Sequence, residues 1–153
     1  MEHRVAFLCD RTALPPALES HRQEHPLDLV VPYVNAAVTT RALAAALKLA
    51  DGCRAAVTLI AVHVLPYPAT LECQEGIRQR LEGELTAVAR ATRAAVYVKL
   101  VFARDREQAY LALLRRQSLV VIGTKHRWWR TGEERFARRL AARGHSVAVI
   151  KVK

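Results

Sequence analysis

The sequence predicts an α/β fold: an open, mainly parallel sheet of five or six strands with helices on both faces. Three observations carry this. Short β-branched runs alternate with stretches of helical apolar spacing, one of the runs is nearly continuous in apolar residues, and capping signals separate the two kinds of segment. Strands that alternate with helices imply right-handed crossovers, because each helix must return the chain to the same sheet.

The elements follow in order. Val5-Ala6-Phe7-Leu8 reads as a strand and Ala17 to Gln23 as a short helix bounded by Pro15-Pro16 and Pro26, so residues 1–26 are an N-terminal extension predicted to add a βα unit. Leu29-Val30-Val31 is a β-branched run, and Thr40 to Leu49 then places Leu43, Leu47 and Ala50 at helical spacing. Ala56 to Leu65 is the strongly apolar strand, as expected where helices cover both sheet faces, and Pro66 and Pro68 end it. From Thr70 to Arg93, Ile77, Leu81, Leu85 and Val88 form the stripe of a long amphipathic helix. Ala95 to Ala103 is a third strand. Asp105 and Gln108 make the D-x-x-Q start of a helix that carries Tyr110, Leu111 and Leu114. Leu119-Val120-Val121-Ile122 is a fourth strand ending at Gly123, Thr131 and Glu134 offer a capping box for a helix that stops near Gly144, and Val147 to Val152 is the last strand.

A chain of 153 residues is read as one domain, large enough to bury a core without a staple. No apolar run approaches the roughly 20 residues of a membrane span. The first residues show no small-residue cleavage site, so no secretory signal is expected and a cytoplasmic location is. Cys9, Cys53 and Cys73 are odd in number and lack C-x-x-C spacing, which points to reduced, buried thiols and argues against disulfides or zinc. The net charge is +10, and residues 104–153 hold 13 Lys and Arg against 4 Asp and Glu. Such asymmetry predicts a basic face able to attract a polyanion, an anionic lipid or an acidic protein partner.

Few constellations carry chemistry. His21-Arg22-Gln23-Glu24-His25 matches the H-x-x-E-H pattern of zinc peptidases, but Pro26 disfavours helix at His25, so a solvated polar turn and no metal are expected. Arg127-Trp128-Trp129-Arg130 sets both tryptophans between cations after the fourth strand, where open α/β sheets bind ligands. The tetrad suits stacking on a base, an interface with a partner, or packing over the sheet edge. His63 reads as a half-buried strand histidine. No nucleophile elbow, P-loop or carboxylate pair is present, so a non-catalytic protein is expected.

Val30-Val31-Pro32-Tyr33-Val34-Asn35 with Arg41-Ala42-Leu43, Leu119 to His126, and Ser146 to Ile150 together resemble the universal stress protein family, a Rossmann-like group, over residues 28–152. The resemblance implies an adenine-contacting Asp after the first strand and a G-x-x-G-x9-G-[S/T] phosphate loop after the fourth. Here the Asp position falls on Val34 or Asn35. Gly123 matches the first loop glycine, and Thr124 and Lys125 lead to His126 at the second. The closing Gly-Ser pair aligns on Glu133-Glu134, with Gly132 beside it. Carboxylates there would oppose phosphate, with Lys125, Arg127 and Arg130 offsetting part of the repulsion, so no cofactor is expected and ATP is disfavoured. The family often pairs through its last strand, which implies a homodimer formed by Ser146, Val147, Ala148, Val149, Ile150, Lys151 and Val152. A regulatory or adaptor domain is the first functional expectation. The others are a sensor holding an adenine nucleotide or other anion through Lys125, Arg127, Arg130 and Trp128 or Trp129, and nucleic-acid or other polyanion binding by the basic last third.

Overall fold

The computed structural model describes residues 27–69, 74–125 and 132–152. Their elements run β1 (Leu27–Pro32), α1 (Ala36–Ala50), β2 (Ala55–Val64), α2 (Glu75–Ala91), β3 (Tyr97–Ala103), α3 (Arg106–Leu113), β4 (Ser118–Lys125), α4 (Gly132–Ala142) and β5 (Ser146–Val152). All neighbours in the sheet are parallel, in the order β3-β2-β1-β4-β5. The fold class is as the alternation of segments predicts, with five strands among the described residues. The strand and helix expected within residues 1–26, and the His21–His25 motif, lie outside them.

Strand alternation sorts the core into two layers. Leu29, Val31, Leu59, Val98, Leu100 and Val121 face α1 and α2, where Leu43 and Leu85 are fully buried. Val30, Ile60, Val120 and Ile122 face the other way, against Tyr110 of α3 and Phe136 and Leu140 of α4. The predicted stripe of Ile77, Leu81, Leu85 and Val88 meets the first layer. Because β1 is central and buried on both faces, its apolar run is continuous rather than alternating.

Helix ends differ from the sequence reading where a cap decides them. α1 begins four residues before Thr40, because Asn35 Oδ1 accepts the Val38 N–H at 3.0 Å and fixes the first turn there. In the described residues α2 begins at Glu75, the predicted start at Thr70 lying outside them, and β3 begins at Tyr97 rather than Ala95. Asp105 caps α3 as expected, its Oδ1 accepting from Gln108 N at 2.8 Å. Gly144, at φ +88, ends α4 in the left-handed conformation, and His145 N donates to Leu140 O at 3.2 Å. Cys53 corrects the expectation of buried thiols: it is exposed in the turn between α1 and β2. Cys9 and Cys73 lie outside the described residues.

Two buried polar groups tie the sheet together. At its N-terminal edge Asp28 accepts from Ser118 Oγ at 3.0 Å and from Thr58 Oγ1 at 3.5 Å, linking β1 to both neighbours. Near the other edge the Ile60 carbonyl takes two donors, Tyr33 N and the Tyr110 hydroxyl, each at 2.8 Å. Both oxygen lone pairs are thereby used. Burial pushes the Tyr110 phenol far above its ordinary value, so it stays a donor.

α1 lies unusually close to β4 at Gly123. A Cβ there would stand 2.6 Å from Val38 Cγ1, 3.0 Å from Val38 O and 3.2 Å from Ala42 Cβ. Gly123→Ala is therefore expected to cost about 1–3 kcal/mol by overpacking. Urea denaturation of Gly123→Ala, Val38→Ala and the double variant should show the second change relieving part of the first, a coupling of at least about 0.5 kcal/mol. Unchanged stability in Gly123→Ala would refute the close approach.

Candidate functional site

The strand order reverses beside β1, and this places a crevice between the C-terminal ends of β1 and β4. The β1–β4 ladder covers only Asp28–Val30 against Ser118–Val120, whereas β4 stays paired with β5 as far as Lys125 and Val152. The upper ends of β1 and β4 therefore part, with α1 leaving toward one face and α4 covering the other. Val34 and Asn35 stand on one side of this opening and Gly123, Thr124 and Lys125 on the other.

Several of these groups are already engaged within the protein. Asn35 spends its side-chain oxygen on the cap of α1. The Val34 N–H donates to the buried Thr39 hydroxyl at 3.1 Å, and Thr39 N in turn donates to Asn35 O at 2.9 Å. The Tyr33 hydroxyl donates to Glu84 of α2 at 3.0 Å. Its pKa is raised, first by burial and then by the Glu84 hydrogen bond and charge. Gly123, aligned by family resemblance with a phosphate-cradling glycine, has a packing reason of its own against α1. Two groups remain uncommitted: Lys125 is exposed, and Thr124 is buried at 1% exposure with no hydrogen-bond partner for Oγ1 among the described residues. His126, Arg127, Trp128, Trp129 and Arg130 lie outside those residues.

The carboxylates expected to repel phosphate have a partner that sequence reading missed. Glu133, in the first turn of α4, takes a bidentate bond from Arg106, Nη1 to Oε1 at 3.0 Å and Nη2 to Oε2 at 2.9 Å. The Arg106 guanidinium also stacks on Phe136 at 4.5 Å from the ring centre. Burial acts to lower the Arg106 pKa, but the bond and charge of Glu133 outweigh it and hold the group above its usual value. Glu133 is thus neutralised from α3. The pair lies 27 positions apart, and its only sequence signal is that each residue opens a helix at the same end of the sheet.

Beside the crevice, at the ends of β2 and β3, Arg104 donates to the carbonyls of Leu65 at 3.0 Å and Pro66 at 2.9 Å, and to that of Ala69. Its guanidinium lies 4.3 Å from the ring centre of Tyr67, which is 85% exposed. His63 is half-buried and meets Phe102 edge-on at 5.6 Å, in keeping with its reading as a structural histidine. No cluster of three or more metal-ligating side chains occurs among the described residues, and no helix there is long and apolar enough to cross a membrane. On the opposite flank, β5 is the edge strand among the described residues. A groove of about 370 Å³ runs between it and α4, lined by Ala137, Ala141, Val147 and Val149 and rimmed by Glu134, Arg138 and Lys151.

No family model matches the sequence, and no curated protein does. A solved structure does match: the crystal structure of a protein from the universal stress protein family from Burkholderia pseudomallei. The TM-score is 0.51 at 24% identity, covering 83% of this chain and 96% of that one. The fold is that of the universal stress protein family. The resemblance read from the strand motifs therefore holds at the level of architecture.

The Arg106–Glu133 pair joins α3 to α4 while partly screened from water, with side-chain exposures of 30% and 18%. Arg106→Met should strand the carboxylate and cost about 1–3 kcal/mol in urea denaturation, less than a fully buried pair would. Arg139→Met, which breaks the exposed Glu107 pair at 3.0 Å, should cost under about 0.5 kcal/mol. Equal effects would show that the Arg106 pair contributes no more than a surface contact.

Proposed function

We propose that this chain is a non-catalytic regulatory or adaptor domain of the universal stress type, a single cytoplasmic unit with residues 1–26 as an extension. It works by pairing with a second copy of itself through β5. The observation that carries this reading is that, among the described residues, β5 ends the sheet beside the groove. Val149 is 39% exposed there, and Val147, Ala137 and Ala141 continue the apolar surface. An unpaired edge strand with apolar neighbours invites association, and a two-fold antiparallel pairing closes both edges at once. The rim carries both signs of charge, Glu134 with Arg138 and Lys151, so it is suited to face a copy of itself. Sedimentation should find a dimer at tens of micromolar, and Val149→Glu should weaken it by roughly 30-fold, about 2 kcal/mol. A monomer in the unaltered protein at that concentration would defeat the proposal.

A second reading is favoured by the uncommitted groups of the crevice. Thr124 has a buried hydroxyl with no partner among the described residues and Lys125 an exposed ammonium at the same strand end, which suits an adenine nucleotide or another small anion. A ligand that binds only the folded state raises the melting temperature by mass action. A rise with Mg-ATP that survives high salt and is absent with tripolyphosphate supports nucleotide recognition. No rise, or equal salt-sensitive rises with both, removes it.

A further inference from the structure

The carboxylates of the last third of the chain are occupied within the fold. Asp105 caps α3, Glu107 pairs with Arg139, Glu133 pairs with Arg106, and Glu134 is part-buried along the β5 groove. Arg115, Arg116, Arg135, Arg138 and Arg143 are in contrast exposed, and their side chains have no ion pair or hydrogen bond among the described residues. Among the described residues, these five arginines are surface charge that the carboxylates of the last third do not offset.

The fold gathers these residues in one place. Phe136, Ala137 and Leu140 point α4 at the sheet, which leaves Arg135 and Arg138 on its outer side, roughly 4.5 Å apart along the axis. The β4–β5 register sets Leu119 against Ser146. The turn carrying Arg115 and Arg116 therefore stands beside the turn carrying Arg143, at the sheet edge where α4 ends. The result is a row of guanidinium groups from the outer face of α4 down to that edge. On the other layer, exposed Arg41, Lys48, Arg54, Arg80, Arg90 and Arg93 are interspersed with exposed Asp51, Glu75 and Glu84.

We propose that this row binds the phosphodiester backbone of a nucleic acid, without reading its bases. Every member of it is arginine, whose planar fork bonds two phosphate oxygens at once. A duplex offers one negative charge per roughly 1.7 Å of axis, so a line of cations meets a line of anions. Among the described residues the exposed large apolar side chains, Leu49, Val64, Tyr67 and Val149, are not part of the row. An inserted bilayer contact or an apolar-centred protein interface would use such anchors, and purely electrostatic contact with an anionic bilayer or an acidic protein is separated by the test below. The outer face of α4 also carries no Asn or Gln, the side chains that read adenine edges, and this fits binding without sequence preference. The proposal needs only one protomer and does not rest on pairing through β5.

The test uses the full chain with fluorescein-labelled 30-base-pair DNA and RNA duplexes, each in two unrelated sequences, followed by anisotropy. A dissociation constant on the order of 10⁻⁶ M is expected at 50 mM salt, the same for both sequences. Four or five phosphate contacts should weaken it by roughly 100-fold or more at 200 mM. The tighter of the DNA and RNA complexes names the source of the backbone. The variant R115E/R116E/R135E/R143E should lose at least about 30-fold, near 2 kcal/mol, while R41E/K48E/R80E/R90E, with the same change in net charge, should lose under about 5-fold. Circular-dichroism melting must show both variants folded; if the first is not, Arg135→Ala and Arg143→Ala, made singly, should each lower the salt slope by about one. No binding at 50 mM salt, or equal losses in the two charge-reversed variants, would overturn the proposal. Tighter binding of poly-L-glutamate or of phosphatidylserine vesicles than of either duplex would overturn it in favour of an acidic protein or a membrane.

Discussion

The site end of this protein depends on the close approach of α1 to β4. A helix can lie this near a strand only where the strand has no side chain on that face, and Gly123 supplies that gap beneath Val38 and Ala42. The position of α1 then determines the rest. Its first turn brings Asn35 to the cap and Thr39 under the Val34 amide, and this fixes the side of the crevice that β1 contributes. Had a larger residue stood at 123, α1 would have to move outward, and the cap, the buried threonine and the opening would move with it. A glycine that comparison with a family assigns to phosphate binding is thus required by packing alone.

A second constraint is the satisfaction of buried polar groups. The C-terminal ends of parallel strands expose carbonyls and amides that a ligand can use, yet this protein ties many of them internally. The Ile60 carbonyl is claimed by Tyr33 and Tyr110, and the carbonyls of Leu65, Pro66 and Ala69 by Arg104. Arg106 and Glu133 neutralise one another at the helix starts. Each such bond satisfies a group that burial would otherwise leave at a cost of about 1–3 kcal/mol. Together they leave less unclaimed polarity for a ligand than the opening between β1 and β4 suggests.

Local signals made the fold legible in the sequence, and tertiary pairing hid the site. The five strands and four helices of the described residues were read from apolar spacing and from caps such as Asp105 and Gly144, whose partners lie within five residues. Boundaries slipped where a cap stood ahead of the apolar pattern, as Asn35 does for α1. The Arg106–Glu133 pair, the Asp28 bonds to Ser118 and Thr58, and the Tyr110–Ile60 bond join residues 27 to 90 positions apart. No periodicity encodes such contacts. The sequence therefore points to Lys125, Arg127 and Arg130 as offsetting Glu133, whose bidentate partner is Arg106, and to a buried Cys53, which its turn leaves exposed.

The two proposed surfaces constrain one another. Antiparallel pairing of β5 with its copy turns about an axis normal to the sheet, so both α4 helices would lie on the same side of a ten-stranded sheet. Their arginine rows would then share one face, and their mutual repulsion would oppose pairing at low salt. A bound polyanion removes that repulsion by neutralising both rows. By linkage, whatever relieves the cost of pairing is itself bound more tightly by the pair. If both proposals hold, the edge of β5 and the basic outer face of α4 would be coupled in the pair, and a polyanion would tighten a dimer that already forms without it.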